Sequence, residues 1–173
     1  MIHIVAPEQA ISREPGRSDV PTVAASQIPP VLLPAEPLYR ACGGGGRDHF
    51  FTTNKEEWDY ACREFGYSGE GTACKLWTTQ APGMVPLYRL WNGADHFYTS
   101  DEQEKNGLRH PWNYEGIPGY ILSTRTEGTV PFYRMFFRTN GDHHYTVNEE
   151  ERSRCINGGQ CDDEGYVGFV FPP

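Results

Sequence analysis

Pro86-Leu87-Tyr88-Arg89 and Asp95-His96-Phe97-Tyr98-Thr99 decide the fold, because both strings occur three times in the same order. The first returns as Pro37-Leu38-Tyr39-Arg40 and as Pro131-Phe132-Tyr133-Arg134. The second returns as Asp48-His49-Phe50-Phe51-Thr52 and as Asp142-His143-His144-Tyr145-Thr146. A Glu-Gly pair follows each copy, as Glu70-Gly71, Glu115-Gly116 and Glu164-Gly165. His and Glu are separated by 21, 19 and 21 residues, and the first string recurs after 49 and then 45. Three ordered signatures, three times over, mark tandem units at 37–85, 86–130 and 131–173.

Each unit has a local reading. The Pro-Leu-Tyr-Arg string starts a strand, where Pro is tolerated at the first position. Gly or Asn-Gly follows (Gly43 to Gly46, Asn92-Gly93, Asn140-Gly141) and turns the chain into a hairpin. The aromatic-rich Asp-His string is the returning strand. Thr53-Asn54-Lys55-Glu56-Glu57 then reads as a capped helix start, with acids in its first turn. Trp58, Ala61, Cys62 and Phe65 fall on one helical face, and Gly66 ends the helix. Asn148-Glu149-Glu150-Glu151 repeats the start in the third unit. A last strand pair carries Glu-Gly, where Gly admits a turn or bulge, and runs out in Leu76-Trp77, Tyr120-Ile121-Leu122 and Phe169-Val170-Phe171.

A unit this short cannot bury its own aromatic face, so the three must share a core. The expected fold is mainly β with short helices, its three pseudo-repeats closed around a pseudo-threefold axis. A β-trefoil-like and a small propeller-like closure both fit. The aromatic content of 13%, with 19 Gly and 14 Pro, suits short strands and tight turns. A net charge of −8 without any Lys/Arg cluster argues against a nucleic-acid partner. No run of 18 apolar residues exists to span a membrane.

Residues 1–36 differ in kind. They hold six prolines and no aromatic residue, too little apolar surface to offset their ordering entropy. They read as a flexible Pro-rich tail or pro-segment, with Val31-Leu32-Leu33 able to dock on the domain. Met1 to Ala6 lacks the basic start and long apolar stretch of a signal peptide. Five cysteines are an odd set: Cys155 and Cys161 flank a Gly-rich turn and are expected to pair, Cys62 with Cys74 likewise, leaving Cys42 spare. Two disulfides would fit secretion, and five reduced thiols in the cytosol are the alternative.

The run from Pro86-Leu87-Tyr88-Arg89-Leu90 through Asp95-His96-Phe97-Tyr98-Thr99 to Tyr114-Glu115-Gly116-Ile117 and Gly119-Tyr120 resembles a three-repeat domain of unknown function. That domain occurs in secreted fungal and bacterial proteins, sometimes attached to cell-wall lytic enzymes. The resemblance covers residues 37–173 and implies a non-catalytic, extracellular, wall- or glycan-associated module. This chain departs from the pattern in its extra cysteines and in His144, which stands where Phe50 and Phe97 stand in the other units.

Three readings of the recurring polar residues compete. In one, the Asp-His pairs only fix the hairpins. In the second, Tyr39, Arg40, Asp48, His49, Tyr88, Arg89, Asp95, His96, Tyr133, Arg134, Asp142 and His143 line polar pockets, with Trp91 and Trp112 as exposed platforms. Sugars want this mixture, a flat aromatic face beside groups that bond paired hydroxyls. Up to three weak sites would then act together by avidity. In the third, the three histidines hold a metal. Glycosidase chemistry at Glu70, Glu115 and Glu164 is disfavoured, since active sites usually break symmetry. No nucleophile elbow, P-loop or dinucleotide fingerprint is present, and no cofactor is expected. The leading expectation is a secreted lectin-like module for carbohydrate or glycoprotein. A protein-interaction or structural domain, such as an effector or inhibitor, is the alternative.

Overall fold

The computed structural model describes residues 33–173. The expected tail and the docking of Val31-Leu32 therefore lie outside the described residues, apart from its last four. Leu33 does pack beside Trp77 and Met84, and its carbonyl accepts from Trp77 Nε1 at 3.3 Å. Glu36, assigned to the tail, opens the first strand.

The chain is mainly β with short helices. In order the elements are β1 (Glu36–Gly43), β2 (Asp48–Thr52), α1 (Lys55–Glu64), β3 (Ser68–Leu76), β4 (Met84–Trp91), β5 (His96–Thr99), α2 (Glu102–Gly107), β6 (Asn113–Leu122), β7 (Val130–Phe137), β8 (Asp142–Thr146), α3 (Glu149–Asn157) and β9 (Asp162–Val170). One sheet runs β2-β1-β3, the other β5-β4-β6-β9-β7-β8. All paired strands are antiparallel. The larger sheet is itself two three-stranded pieces that meet at the pair Leu122↔Phe169. Bridges Lys75↔Phe171 and Trp77↔Tyr120 attach β3 to its neighbours in the same way.

The helices begin where short polar side chains can take up their free N–H groups. Asn54, Asp101 and Asn148 each accept from two such groups, a cap that contributes about 1 kcal/mol. The expected strand pair after the helix is one continuous strand. It is bulged against its partner beside Gly71, Gly116 and Gly165, whose φ values of 84°, 116° and 81° need glycine. The uneven spacing of the Pro-Leu-Tyr-Arg strings has a simple cause. Tyr39, Tyr88 and Tyr133 pair with Thr52, Thr99 and Thr146, and the middle hairpin is two residues shorter. Counted on Asp48, Asp95 and Asp142, the repeat is an even 47.

Phe51, Tyr98 and Tyr145 meet at the centre of the core, all but fully buried. Their rings stand edge to face in every pairing, with centroids 5.4, 5.6 and 5.3 Å apart. Such contacts add about 0.5–1.5 kcal/mol each to the area they bury. Tyr98 Oη bonds the backbone N–H and carbonyl of Phe51 at 2.7 and 2.8 Å, and Tyr145 Oη does the same to Tyr98.

The cysteines require one correction. Cys155 and Cys161 are disulfide-bonded, but Cys62 and Cys74 are free thiols, as is Cys42. Ala61 lies as far from the cap Asn54 as Cys155 lies from Asn148, and Tyr67 likewise stands in the place of Cys161. Cys62 is thus one residue off the position that faces the bridge. Cys74 opposes Leu38 on the core side of β3, where Gly119 opposes Leu87 and Gly168 opposes Phe132. It fills the core, and burial pushes its thiol pKa up.

Candidate functional site

Strand alternation explains why the Asp-His string has the composition it has. Successive side chains point to opposite faces, so each hairpin reaches two neighbouring joints. His96 and Tyr98 face the joint with the first unit, together with Arg89 and Trp91 across the ladder. Asp95, Phe97 and Thr99 face the joint with the third. The same division holds in the other two hairpins.

At the first joint, between units one and two, His96 binds the buried carboxylate of Asp48: its backbone N–H donates at 2.8 Å and Nδ1 lies 2.9 Å away. Arg89 forks onto Glu57 of α1 through Nη1 and Nη2 at 3.2 and 2.7 Å. Its Nε lies 2.9 Å from Glu115 Oε2, an ion pair off the N–H line, and His96 Nε2 lies 3.6 Å from that oxygen. The Thr52 hydroxyl also donates to Glu57 at 2.5 Å. Burial pushes the Glu57 carboxyl up, but the bonds from Arg89 and Thr52 outweigh it and hold Glu57 below the usual range. The Arg89 guanidinium rests over the Phe50 ring, 5.2 Å from its centroid.

The second joint repeats this with Asp95, His143, Arg134, Glu104, Glu164 and Phe97. Arg134 forks onto Glu104 at 3.0 and 3.0 Å and meets Glu164 at 2.8 Å, while His143 Nδ1 lies 2.7 Å from Asp95. The third joint closes from unit three back to unit one. His49 Nδ1 lies 2.6 Å from Asp142, and Arg40 Nε lies 2.9 Å from Glu70. Here His144 takes the place of Phe. Arg40 reaches Glu151 only at 3.7 Å, because His144 Nε2 stands between, 3.3 Å from Glu151 and 3.5 Å from Arg40. Burial lowers the His144 pKa, and the bond from His144, with that from Thr146, holds Glu151 down to about 2.

These contacts sort the sequence-selected residues. Asp48, Asp95 and Asp142 are buried at 3%, 2% and 1% exposure, with carboxylate oxygens within 4.8 Å of one another. Burial raises the Asp95 pKa against the bonds from His143. The three histidines each turn Nδ1 to one of these aspartates, which leaves them bound in His–Asp pairs. Tyr39, Tyr88 and Tyr133 lie on the opposite strand face from their neighbouring arginines. They pack beneath the helix cations Lys55, Lys105 and Arg152 at 5.8, 4.4 and 4.6 Å. Both tryptophans are half-buried, and Trp91 lines the cleft at the first joint. Trp91 packs tilted against His96 at 4.2 Å, and Trp112 packs on Phe97 at 5.7 Å.

What the three joints do not share is space. The first opens into a cleft of about 460 Å³, lined by Phe50, Tyr60, Phe65, Tyr67 and Trp91 around Glu57, Arg89 and Glu115. Tyr60 and Phe65 stand at its mouth, 50% and 67% exposed, edge to face at 5.4 Å. The Tyr67 hydroxyl donates to Asp48, and burial with that bond drives its pKa far up. At the second joint Trp112 lies against Phe97 and His143. At the third, the disulfide, Met135, Ile156 and Phe137 pack together, and Phe137 also meets His144.

Glu57 and Glu151 read in the sequence only as acids of a first helical turn, and Glu104 gave no such sign, although each follows the motif Thr by five residues. That spacing was the available signal. Tyr60, Phe65 and Tyr67 belong to one unit only and left no repeat to notice.

A small β protein of three hairpin-helix-strand segments, linked by buried ionic joints with one aromatic cleft, is the class these features define. Residues 36–171 match the family described as Domain of unknown function (DUF5648), and the chain belongs to it. Neither a curated protein nor a solved structure matches the chain. Among the described residues, no helix is long and apolar enough to cross a membrane.

Proposed function

We propose that this protein is a non-catalytic carbohydrate-binding module with one site, the cleft at the first joint. The observation that carries the reading is the cleft's composition: five aromatic rings beside two carboxylates and a guanidinium. Rings stack on the C–H faces of a sugar, while carboxylate oxygens accept from its hydroxyls. The three units are read as closing around a pseudo-threefold axis, in propeller-like rather than trefoil-like fashion, since each brings its own three-stranded sheet. The resemblance to wall-associated domains and the Cys155–Cys161 disulfide support a secreted protein acting at a cell wall or on glycans. Both cleft carboxylates are held on Arg89, which suits binding better than acid-base work.

The test is binding of the full chain to a glycan array and to insoluble chitin, β-glucan and peptidoglycan. Saturable binding that falls at least about tenfold in Tyr60→Ala and Trp91→Ala, with melting unchanged in the former, supports the reading. A second reading, a protein-interaction or structural domain, is favoured by the burial of the repeated Asp, His and Arg in one bonded network. Absence of glycan binding at high protein concentration, with a folded protein, would select it.

A further inference from the structure

The charges around the cleft narrow the ligand further, on the footing that the cleft is a sugar site. Three carboxylates stand at or just beneath its floor: Asp48, Glu57 and Glu115. They face two groups that can be positive, Arg89 and His96. The carboxylates are therefore in excess whether or not His96 carries a proton. All three guanidinium nitrogens of Arg89 already face carboxylate oxygens within 3.2 Å, so little of its charge is left for an anion. The helix that forms one wall, α1, adds Glu56, Asp59 and Glu64 against Lys55 and Arg63. Lys55 is paired with Asp59 and Arg63 with Glu64. Glu115 meets Arg89 and His96 through Oε2, at 2.9 and 3.6 Å. Tyr60, Phe65 and Trp91 also line the cleft, with the Arg63 guanidinium 5.8 Å from the Tyr60 ring centroid and Trp91 packed against His96.

We propose that the cleft binds an amino sugar carrying a free, protonated amine, in preference to its N-acetylated, neutral and acidic counterparts. Aromatic faces over surplus carboxylate attract an ammonium group twice, by the ring quadrupole and by charge. The sugar ring that carries it fills the apolar remainder of the cleft. An acidic sugar would meet Glu57 and Glu115, and the nearby Arg89 and Arg63 are already paired with carboxylates. An N-acetylated sugar keeps the stacking and loses the charge.

The experiment is calorimetric titration of the full chain with short soluble oligomers of glucosamine, N-acetylglucosamine, glucose and a uronic acid. The expected result is glucosamine bound at least about tenfold more tightly than the others, with affinity falling as salt screens the charges or as the pH is raised until the amine is neutral. Tyr60→Ala, at an exposed position, is expected to remove that preference without changing the melting temperature. Glu115→Gln is expected to weaken glucosamine more than it weakens N-acetylglucosamine. Equal or tighter binding of the N-acetylated or neutral oligomers overturns this inference but leaves the carbohydrate reading standing. Glucosamine binding that survives in Tyr60→Ala is general attraction to an acidic protein, and overturns it too. No binding of any oligomer overturns both.

Discussion

The first and third joints use the same parts and end differently. In the first, Arg89 forks onto Glu57 above the Phe50 ring, and space remains beside it for an aromatic cleft. In the third, His144 replaces the phenylalanine, and Arg40 is drawn off from Glu151 to 3.7 Å. Trp91, which packs against His96 in the first joint, corresponds to Cys42, which pairs with His49 in the third. The comparison separates two roles. What all three joints keep, an aspartate under a histidine and an arginine between two glutamates, serves the fold. What sets the first apart is its cleft, lined by five rings, where we propose that a ligand binds.

The largest effect is expected where the joints are alike. Asp48→Ala leaves the His96 N–H groups without their buried acceptor, and Asp142→Ala does the same to His49. Each is expected to cost about 3–5 kcal/mol, the usual result of removing one partner from a buried charged pair, read as a lower urea midpoint at unchanged slope. A loss under about 1 kcal/mol at either would mean that the aspartates do not hold the joints.

The joints are expected to diverge at their arginines. A double-mutant cycle on Arg89 and Glu57 should give a coupling of about 1–2 kcal/mol, because the pair is forked and half-buried. The corresponding cycle on Arg40 and Glu151 should give about 0.5 kcal/mol or less, since the contact is single and long. Equal couplings would erase the distinction between the two joints.

The mainly β character and the short helices are legible in the sequence, and the reason is repetition. A motif seen three times betrays its strands, its turn and its cap, because a chance likeness does not recur at fixed spacing. The Asp-His string showed its alternation but not its direction, since strand period says that Asp48 and His49 part company without saying which neighbour each one meets. Tyr39 and Arg40 were assigned to one pocket for the same reason, although adjacent strand residues face opposite ways. The cleft was invisible because its residues belong to one unit. Phe65 read as the apolar face of a helix and instead stands past the helix end, 67% exposed. Cys62 and Cys74 looked like a pair by analogy with Cys155 and Cys161, and only alignment on the helix caps shows Ala61 and Tyr67 in the equivalent places.

His144 offers a smaller and more selective way to test the contrast. It is packed against Arg40, Glu151, His49 and Phe137. Burial, with Arg40 and His49 nearby, lowers its pKa against the pull of Glu151. The unfolded chain therefore takes up a proton that the folded one resists. Stability from this group is complete above about pH 6.5, the unfolded value, and is lost as the pH falls toward the lower folded one. His144→Phe should remove this loss, so that the variant gains on the natural protein by up to about 1.4 kcal/mol per pH unit below pH 6.5. Urea midpoints at pH 7 and pH 5.5 measure it. Parallel pH profiles for the two proteins would show that His144 does not weaken the third joint.

The finest difference lies at the centre. Tyr98 and Tyr145 each place a hydroxyl on the backbone of the preceding unit, whereas Phe51, equally placed among the three rings, has none to offer Tyr145. Phe51→Tyr supplies the missing hydroxyl at the third joint. If the three sides of the core are equivalent in space, as ring separations of 5.3 to 5.6 Å indicate, the added bonds should raise stability by about 1 kcal/mol. A fall in the urea midpoint would mean that the third side is closed more tightly than the others. The phenylalanine would then be a fit to that closer packing, and the asymmetry seen at His144 would extend to the centre of the core.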